Sequence, residues 1–239
     1  MQKNRVRALL MGGQACVLYG AAEFSRDIDL AIVAGPANLS RLRAALSELR
    51  AEVIAVPPFE LKYLRKGHAI HFRCFAPDVS GLRVHVMTKM RGVDAFPKLW
   101  ARRVTIRAED GTSYQLMSLP DLTKAKKTQR DKDWPMIRRL LEADYFKHRG
   151  RATAQQLRFW ALELRTPELM QEIGSAHADL CRKLVKKRPL LEFAVSGNER
   201  ALIKALSAEE ETERNADRRY WSPLKAELEE LRHPRLRTG

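Results

Sequence analysis

The sequence predicts an α+β protein: a mixed sheet with flanking helices, followed by an all-helical C-terminal domain. Apolar runs with strand-like alternation and turn punctuation all lie before residue 118. Beyond Arg151 the apolar residues fall only at helical spacing. Interleaved strands and helices followed by helices alone is the element order of an α+β chain. The expected domains are residues 1–148 and 149–239, meeting near His148-Arg149-Gly150.

Each element has a local reason. "VRALLM" (6–11) reads as a short buried strand, and "GQACVLYGA" suits a helix of about two turns ending near Gly20. "DIDLAIV" (27–33) is rich in strand formers. "NLSRLRAALSELR" (38–50) has leucines and alanines at helical spacing, with Asn38 or Ser40 as its expected cap. "VPP" breaks the chain at 56–58. "HAIHFRCF" (68–75) and "LRVHVM" (82–87) alternate around the turn "APDVSG", which predicts an antiparallel hairpin. "RRVTIRAEDGTSYQLM" (102–117) predicts a second, turning at Asp110-Gly111. Ser118, Pro120 and Asp121 then signal a helix start. The remaining segments, from "TAQQLRFWALEL" to "SPLKAELEELR", read as helices separated at Pro167, Pro189, Gly197 and Pro223.

Composition narrows the function. The chain has 239 residues, 45% of them hydrophobic, enough for a packed core. No apolar run approaches the roughly 18 residues of a membrane span, and the basic start "MQKNRVRALLMGG" has too short an apolar stretch for a signal peptide. A soluble, cytoplasmic protein is expected. Cys16, Cys74 and Cys181 are odd in number and widely spaced, so they read as small buried hydrophobes and not as a disulfide or zinc framework. The net charge of +15 favours polyanionic partners, nucleotide or nucleic acid, through counterion release.

"MGGQACVLYGAAEFSRDIDLAIV" (11–33) carries the chemistry. Residues i and i+2 of a strand share a face, so Asp27 and Asp29 project together while Ile28 and Leu30 point to the core. Two adjacent carboxylates repel one another, and a divalent cation removes that cost. Mg²⁺ prefers one or two carboxylates completed by phosphate oxygens and water. Gly12 and Gly13 let the backbone approach a phosphate at the start of the following helix. Ser25 and Arg26 offer a hydroxyl and a positive charge beside the same place.

At this point the sequence resembles the nucleotidyltransferase superfamily, the polymerase-β-like fold, whose hallmark is a Gly-Gly or Gly-Ser turn followed by two metal-binding acids on a strand. It looks most like small bacterial and archaeal nucleotidyltransferase-like proteins, including toxins of type IV toxin–antitoxin systems. Gly12, Gly13, Ala15, Tyr19, Gly20, Arg26, Asp27, Ile28, Asp29 and Leu30 carry the match. "SLPDLTKAKKTQRDKDWPMIRRL" (118–140) resembles the family's downstream helix pair. There Lys126, Arg130, Lys132 and Asp133 fall on its polar positions, and this lysine often faces the triphosphate. The resemblance covers about residues 5–145. It implies an NTP substrate, Mg²⁺ or Mn²⁺ on Asp27 and Asp29, nucleotide contacts from Gly12, Gly13, Ser25, Arg26, Lys126 and Arg130, and a hydroxyl acceptor on tRNA, other RNA or protein. It also implies a possible cognate antitoxin as partner.

One departure stands out. The superfamily's third acid is expected on "GLRVHVMTKM", where His85 holds the position and shares a face with Arg83 and Met87. Three readings stay open. His85 could serve as general base or metal ligand. The site could bind with two acids and turn over slowly or not at all. Or Asp78 or Asp94 could supply the third carboxylate. His71 and Arg73 share a face of the partner strand and would add a basic pocket if that face met His85.

Overall fold

A computed structural model describes residues 1–233. The last six residues of the expected helical domain lie outside the described part. The chain divides into two compact units. One comprises residues 1–18, 22–125 and 219 onward, and the other residues 19–21 and 126–218.

The first unit is built on a mixed seven-stranded sheet. Its elements run β1 (Ala8–Met11), α1 (Gly12–Leu18), β2 (Asp27–Ile32), α2 (Pro36–Glu48), β3 (Glu52–Val53), α3 (Leu61–Lys66), β4 (Ile70–Arg73), β5 (Arg83–Met87), α4 (Phe96–Ala101), β6 (Val104–Arg107), β7 (Ser113–Leu116) and α5 (Leu119–Ala125). The strand order is β3-β4-β5-β2-β1-β7-β6. β2 lies parallel to β5 and β1 parallel to β7, while the other neighbours are antiparallel. Both expected hairpins form, β4–β5 and β6–β7. Gly111 and the Asp110 carboxylate, which accepts from Thr112 N at 2.8 Å, close the second.

β2 sorts its side chains by parity. Leu30 and Ile32 are buried against Leu39, Leu42 and Leu46 of α2, with Ile70, Phe72, Val84 and Val86 of the adjoining strands in the same cluster. Burying each such aliphatic side chain stabilises the unit by about 1.5–3 kcal/mol, which fixes the register and turns Asp27 and Asp29 to the opposite face. The α2 start differs from expectation. Gly35 is the N-cap, without a side-chain cap, and Pro36 opens the helix. Ser40 is exposed. Asn38 is buried inside the helix, where Oδ1 accepts from Arg7 N at 2.7 Å and Nδ2 donates to the Arg7 and Val33 carbonyls. A buried amide does more by satisfying otherwise unpaired backbone groups than by capping. Ser118 behaves as expected at α5, its Oγ accepting from Asp121 N and donating to the Asp121 carboxylate at 2.7 Å.

The second unit is helical: α6 (Asp133–His148), α7 (Ala154–Glu163), α8 (Pro167–Ala176), α9 (Ala178–Leu184), α10 (Leu191–Ser196) and α11 (Glu199–Arg232). The expected 148/149 junction falls at the end of α6, within this unit. Thr153 and Gln156 form a capping box on α7. Trp134, Ile137, Leu141, Trp160, Leu164, Ile173, Leu191 and Leu202 make the core. Beneath it runs a buried ion network in which Arg188 grips Glu209 through Nε and Nη2, with Arg165 Nη1 3.3 Å from the same carboxylate. α11 continues through Pro223, where the sequence predicts a break. Proline removes one intrahelical hydrogen bond, and the long helix has enough flanking turns to carry that loss. Residues 219–232 of α11 count with the first unit, where Glu227 pairs with Lys66 and, at 2.9 Å, with His68. The three cysteines are buried, as the sequence predicts.

Candidate functional site

The site assembles on the face of the sheet opposite α2. β2 and β5 are parallel neighbours with Asp27 opposite Arg83 and Asp29 opposite His85. β4 runs antiparallel beside β5 with His71 opposite His85 and Arg73 opposite Arg83. Two cross-strand rows result, Asp27–Arg83–Arg73 and Asp29–His85–His71. The pairing thus joins the His71 face to the His85 face, as the sequence allowed. It also puts His85, and neither Asp78 nor Asp94, opposite Asp29. Asp78 is exposed in the turn at 77–79, and Asp94 is held by Arg102 at 2.9 Å and Lys98 at 3.4 Å.

The acids have protein partners. Arg83 Nε donates to Asp27 Oδ1 at 2.8 Å, and His85 Nδ1 lies 3.0 Å from Asp29 Oδ1. An ionised carboxylate only accepts, so the Nδ1 that faces Asp29 carries a proton. The His71 ring meets the His85 ring edge-on at 4.5 Å between centroids. Burial, and then the neighbouring His85, lower the His71 pKa from its ordinary 6.5, against the opposing pull of Asp29 and Asp27.

The Gly-Gly turn fits against this face. Gly12 has φ +65°, and a Cβ there would stand 1.9 Å from Asp29 Oδ2. A Cβ on Gly13 would stand 2.3 Å from Ser25 Oγ. The glycines therefore serve close packing of the β1–α1 turn on the Asp29 carboxylate and on the loop before β2. Gln14 Nε2 donates to the Ser25 carbonyl at 2.8 Å, and Ser25 Oγ to the Asp27 carbonyl at 3.3 Å. Arg26 is exposed in the same loop.

Lys126 and Arg130 belong to the second unit, where both hold Asp133. Lys126 Nζ donates to Oδ1 at 3.2 Å, while Arg130 Nε and Thr128 Oγ1 donate to Oδ2 at 2.8 and 2.6 Å. Burial alone would raise the Asp133 carboxyl, but Lys126, Thr128 and Arg130 outweigh it and hold it below the usual range. Lys126 and Asp133 are both buried, so this knot orders the segment leading into α6.

Among the described residues no group of three or more His, Cys, Asp or Glu side chains is disposed to hold a metal ion. Asp27 and Asp29 offer two carboxylates, each with one oxygen on a protein donor. That donor set suits a hard cation completed by phosphate and water, not an all-protein cage. Sequence reasoning placed Arg83 on this face but missed its pairing with Asp27. The signal was there: Arg83 precedes His85 by two residues, as Asp27 precedes Asp29, so a parallel register that joins one pair joins both.

No family model matches the chain, and no curated protein does.

Proposed function

We propose that the first unit is a nucleotidyltransferase-type site that moves a nucleotidyl group from an NTP to a hydroxyl acceptor. The observation that carries this reading is the shared face of Asp27, Asp29 and His85, with Gly12 packed against the Asp29 carboxylate. Mg²⁺ or Mn²⁺ on Asp27 and Asp29 would supply charge neutralisation of the triphosphate and of the developing transition state. The chain's own residues do the rest. Asp29 orients the imidazole. His85 Nε2 takes the proton of the attacking hydroxyl as the new O–P bond forms at the α-phosphate and pyrophosphate leaves. Arg73 and Arg83 lend positive charge where the triphosphate would lie. A basic chain favours an RNA acceptor such as tRNA, with a protein hydroxyl as the other acceptor class, and activity of this kind suits a toxin held by an antitoxin partner.

A second reading has its own observation. Arg83 occupies an oxygen of Asp27, and His85 stands where a third acid would be. Both fit a protein that binds nucleotide, RNA or a partner without turnover. One experiment separates them: incubation with each α-labelled NTP, Mg²⁺ or Mn²⁺, and total tRNA, with Asp27→Ala/Asp29→Ala and His85→Asp alongside. Label on RNA or protein that vanishes in the double-alanine variant supports transfer. Label only from His85→Asp means a site silenced at the third position. Nucleotide binding with no label from any variant supports the binding reading.

A further inference from the structure

β2 and β5 end side by side, and the chain leaves them in opposite directions. From Ile32 it runs through α2 to β3 at one edge of the sheet. From Met87 it runs through α4 to β6 at the other edge. Where neighbouring parallel strands part in this way, a crevice opens beyond their carboxyl ends, and such crevices are favoured ligand sites. Here the crevice is a cleft of about 660 Å³, within the range of about 300–1,000 Å³ typical of small-molecule sites. It is separate from the candidate active site. Ile32 lies three residues, about 10 Å, beyond Asp29 along β2 and faces the other side of the sheet.

The lining has a definite chemistry. Val33, Met90 and Val93 supply an apolar floor, and Phe96 and Tyr220 are the aromatic residues of the lining. Arg65 and Lys89 supply the charge. Both are exposed, and the segments that carry them are tied together. Thr88 Oγ1 donates to the Leu64 carbonyl, tying the α3 end that carries Arg65 to the loop that carries Lys89. The Lys89 stem lies 3.5 Å from where a Cβ on Gly67 would be. Asp94 also lines the cleft, but Arg102 and Lys98 already answer its charge. Among the described residues no carboxylate is paired with Arg65 or Lys89. Tyr220 is brought in by the stretch of α11 that Glu227 anchors to Lys66 and His68.

We propose that this cleft binds a small aryl-bearing phosphate monoester, with the dianion on Arg65 and Lys89 and the ring between Phe96 and Tyr220. An arginine takes phosphate through paired N–H donors and a lysine adds a point charge, while the apolar floor rejects a bare anion.

Calorimetric titration of the full chain with phenyl phosphate, without divalent cation, tests this. Inorganic phosphate and phenol are the comparison probes. Phenyl phosphate is expected to bind saturably at one site and both comparison probes at least tenfold more weakly. Arg65→Gln/Lys89→Gln, two exposed changes that spare the core, is expected to weaken binding at least tenfold. Val93→Trp, which fills the floor, should do the same. Asp27→Asn/Asp29→Asn should leave it unchanged. The proposal falls if wild type does not bind, if inorganic phosphate binds equally well, if the Arg65/Lys89 variant binds like wild type, or if the Asp27/Asp29 variant loses binding.

Discussion

The His85 imidazole reaches across from β5 to β2 and sets Nδ1 3.0 Å from Asp29 Oδ1. The contact joins residues 56 apart in sequence through one parallel register. On the transferase reading it orients the imidazole as a base, with Nδ1 turned to the carboxylate and Nε2 to the substrate. On the transferase reading, His85→Gln keeps a hydrogen bond to Asp29 but removes the base. Transfer measured with α-labelled NTP should then fall roughly 100-fold or more, with NTP affinity little changed. A parallel loss of affinity would instead mean that His85 holds the nucleotide.

On the transferase reading Arg83 competes with the cation for Asp27, since its Nε already donates to Oδ1. Its side chain and that of Asp27 are both partly exposed, so the pair contributes little to folding, within about 1 kcal/mol. Arg83→Gln should therefore leave the melting temperature nearly unchanged. Mn²⁺ affinity, followed by electron paramagnetic resonance, should rise severalfold. Weaker Mn²⁺ binding would show that the guanidinium positions the carboxylate more than it blocks it.

Gly12 has no tolerable substitute. Alanine would need a left-handed backbone, which costs about 1–2 kcal/mol, and its Cβ would meet the Asp29 carboxylate at 1.9 Å. Gly12→Ala should lower stability in urea unfolding by more than the backbone term alone. It should also weaken Mn²⁺ binding, since Asp29 must move. Gly20, with open space around its Cβ position, is the matched control and should show the backbone cost only.

His71 makes stability depend on pH. Its folded pKa lies below 6.5 because burial and His85 disfavour the imidazolium. At neutral pH and above, the ring is neutral folded and unfolded alike. As pH falls below 6.5 the unfolded chain takes up a proton that the folded chain resists, so stability declines toward the lower folded pKa. His71→Phe keeps a ring beside His85 and should flatten the stability profile between pH 5 and 7. An unchanged slope would assign the titration to another group.

In the second unit, Glu209 answers two buried guanidiniums. Arg165 and Arg188 are at most 5% exposed. Burial alone would raise the Glu209 carboxyl, yet Arg188 and Arg165 hold it below the usual range. Glu209→Gln removes the charge while keeping the shape, and should cost about 3 kcal/mol in chemical denaturation. The Arg165→Met/Arg188→Met/Glu209→Leu triple variant should recover much of that loss, because both guanidiniums go with the carboxylate that answered them.

What the sequence determined by itself was local. The alternation in "HAIHFRCF" and "LRVHVM", the Asp110-Gly111 turn and the serine before α5 each act over a few residues, and each appears in the structure. So does the shared face of Asp27 and Asp29, which strand geometry imposes on any i, i+2 pair. The tertiary structure decided which strands became neighbours. Only the β2–β5 and β4–β5 registers bring Arg83 to Asp27 and set His71 edge-on to His85. The same is true of Lys126, whose basic surroundings in sequence hide that it is buried on Asp133, and of α11, which runs on through Pro223. The reason is physical. Propensity and turn chemistry are set by nearest neighbours, whereas register is set by which apolar sets can be buried together, and that depends on side chains far apart in the chain.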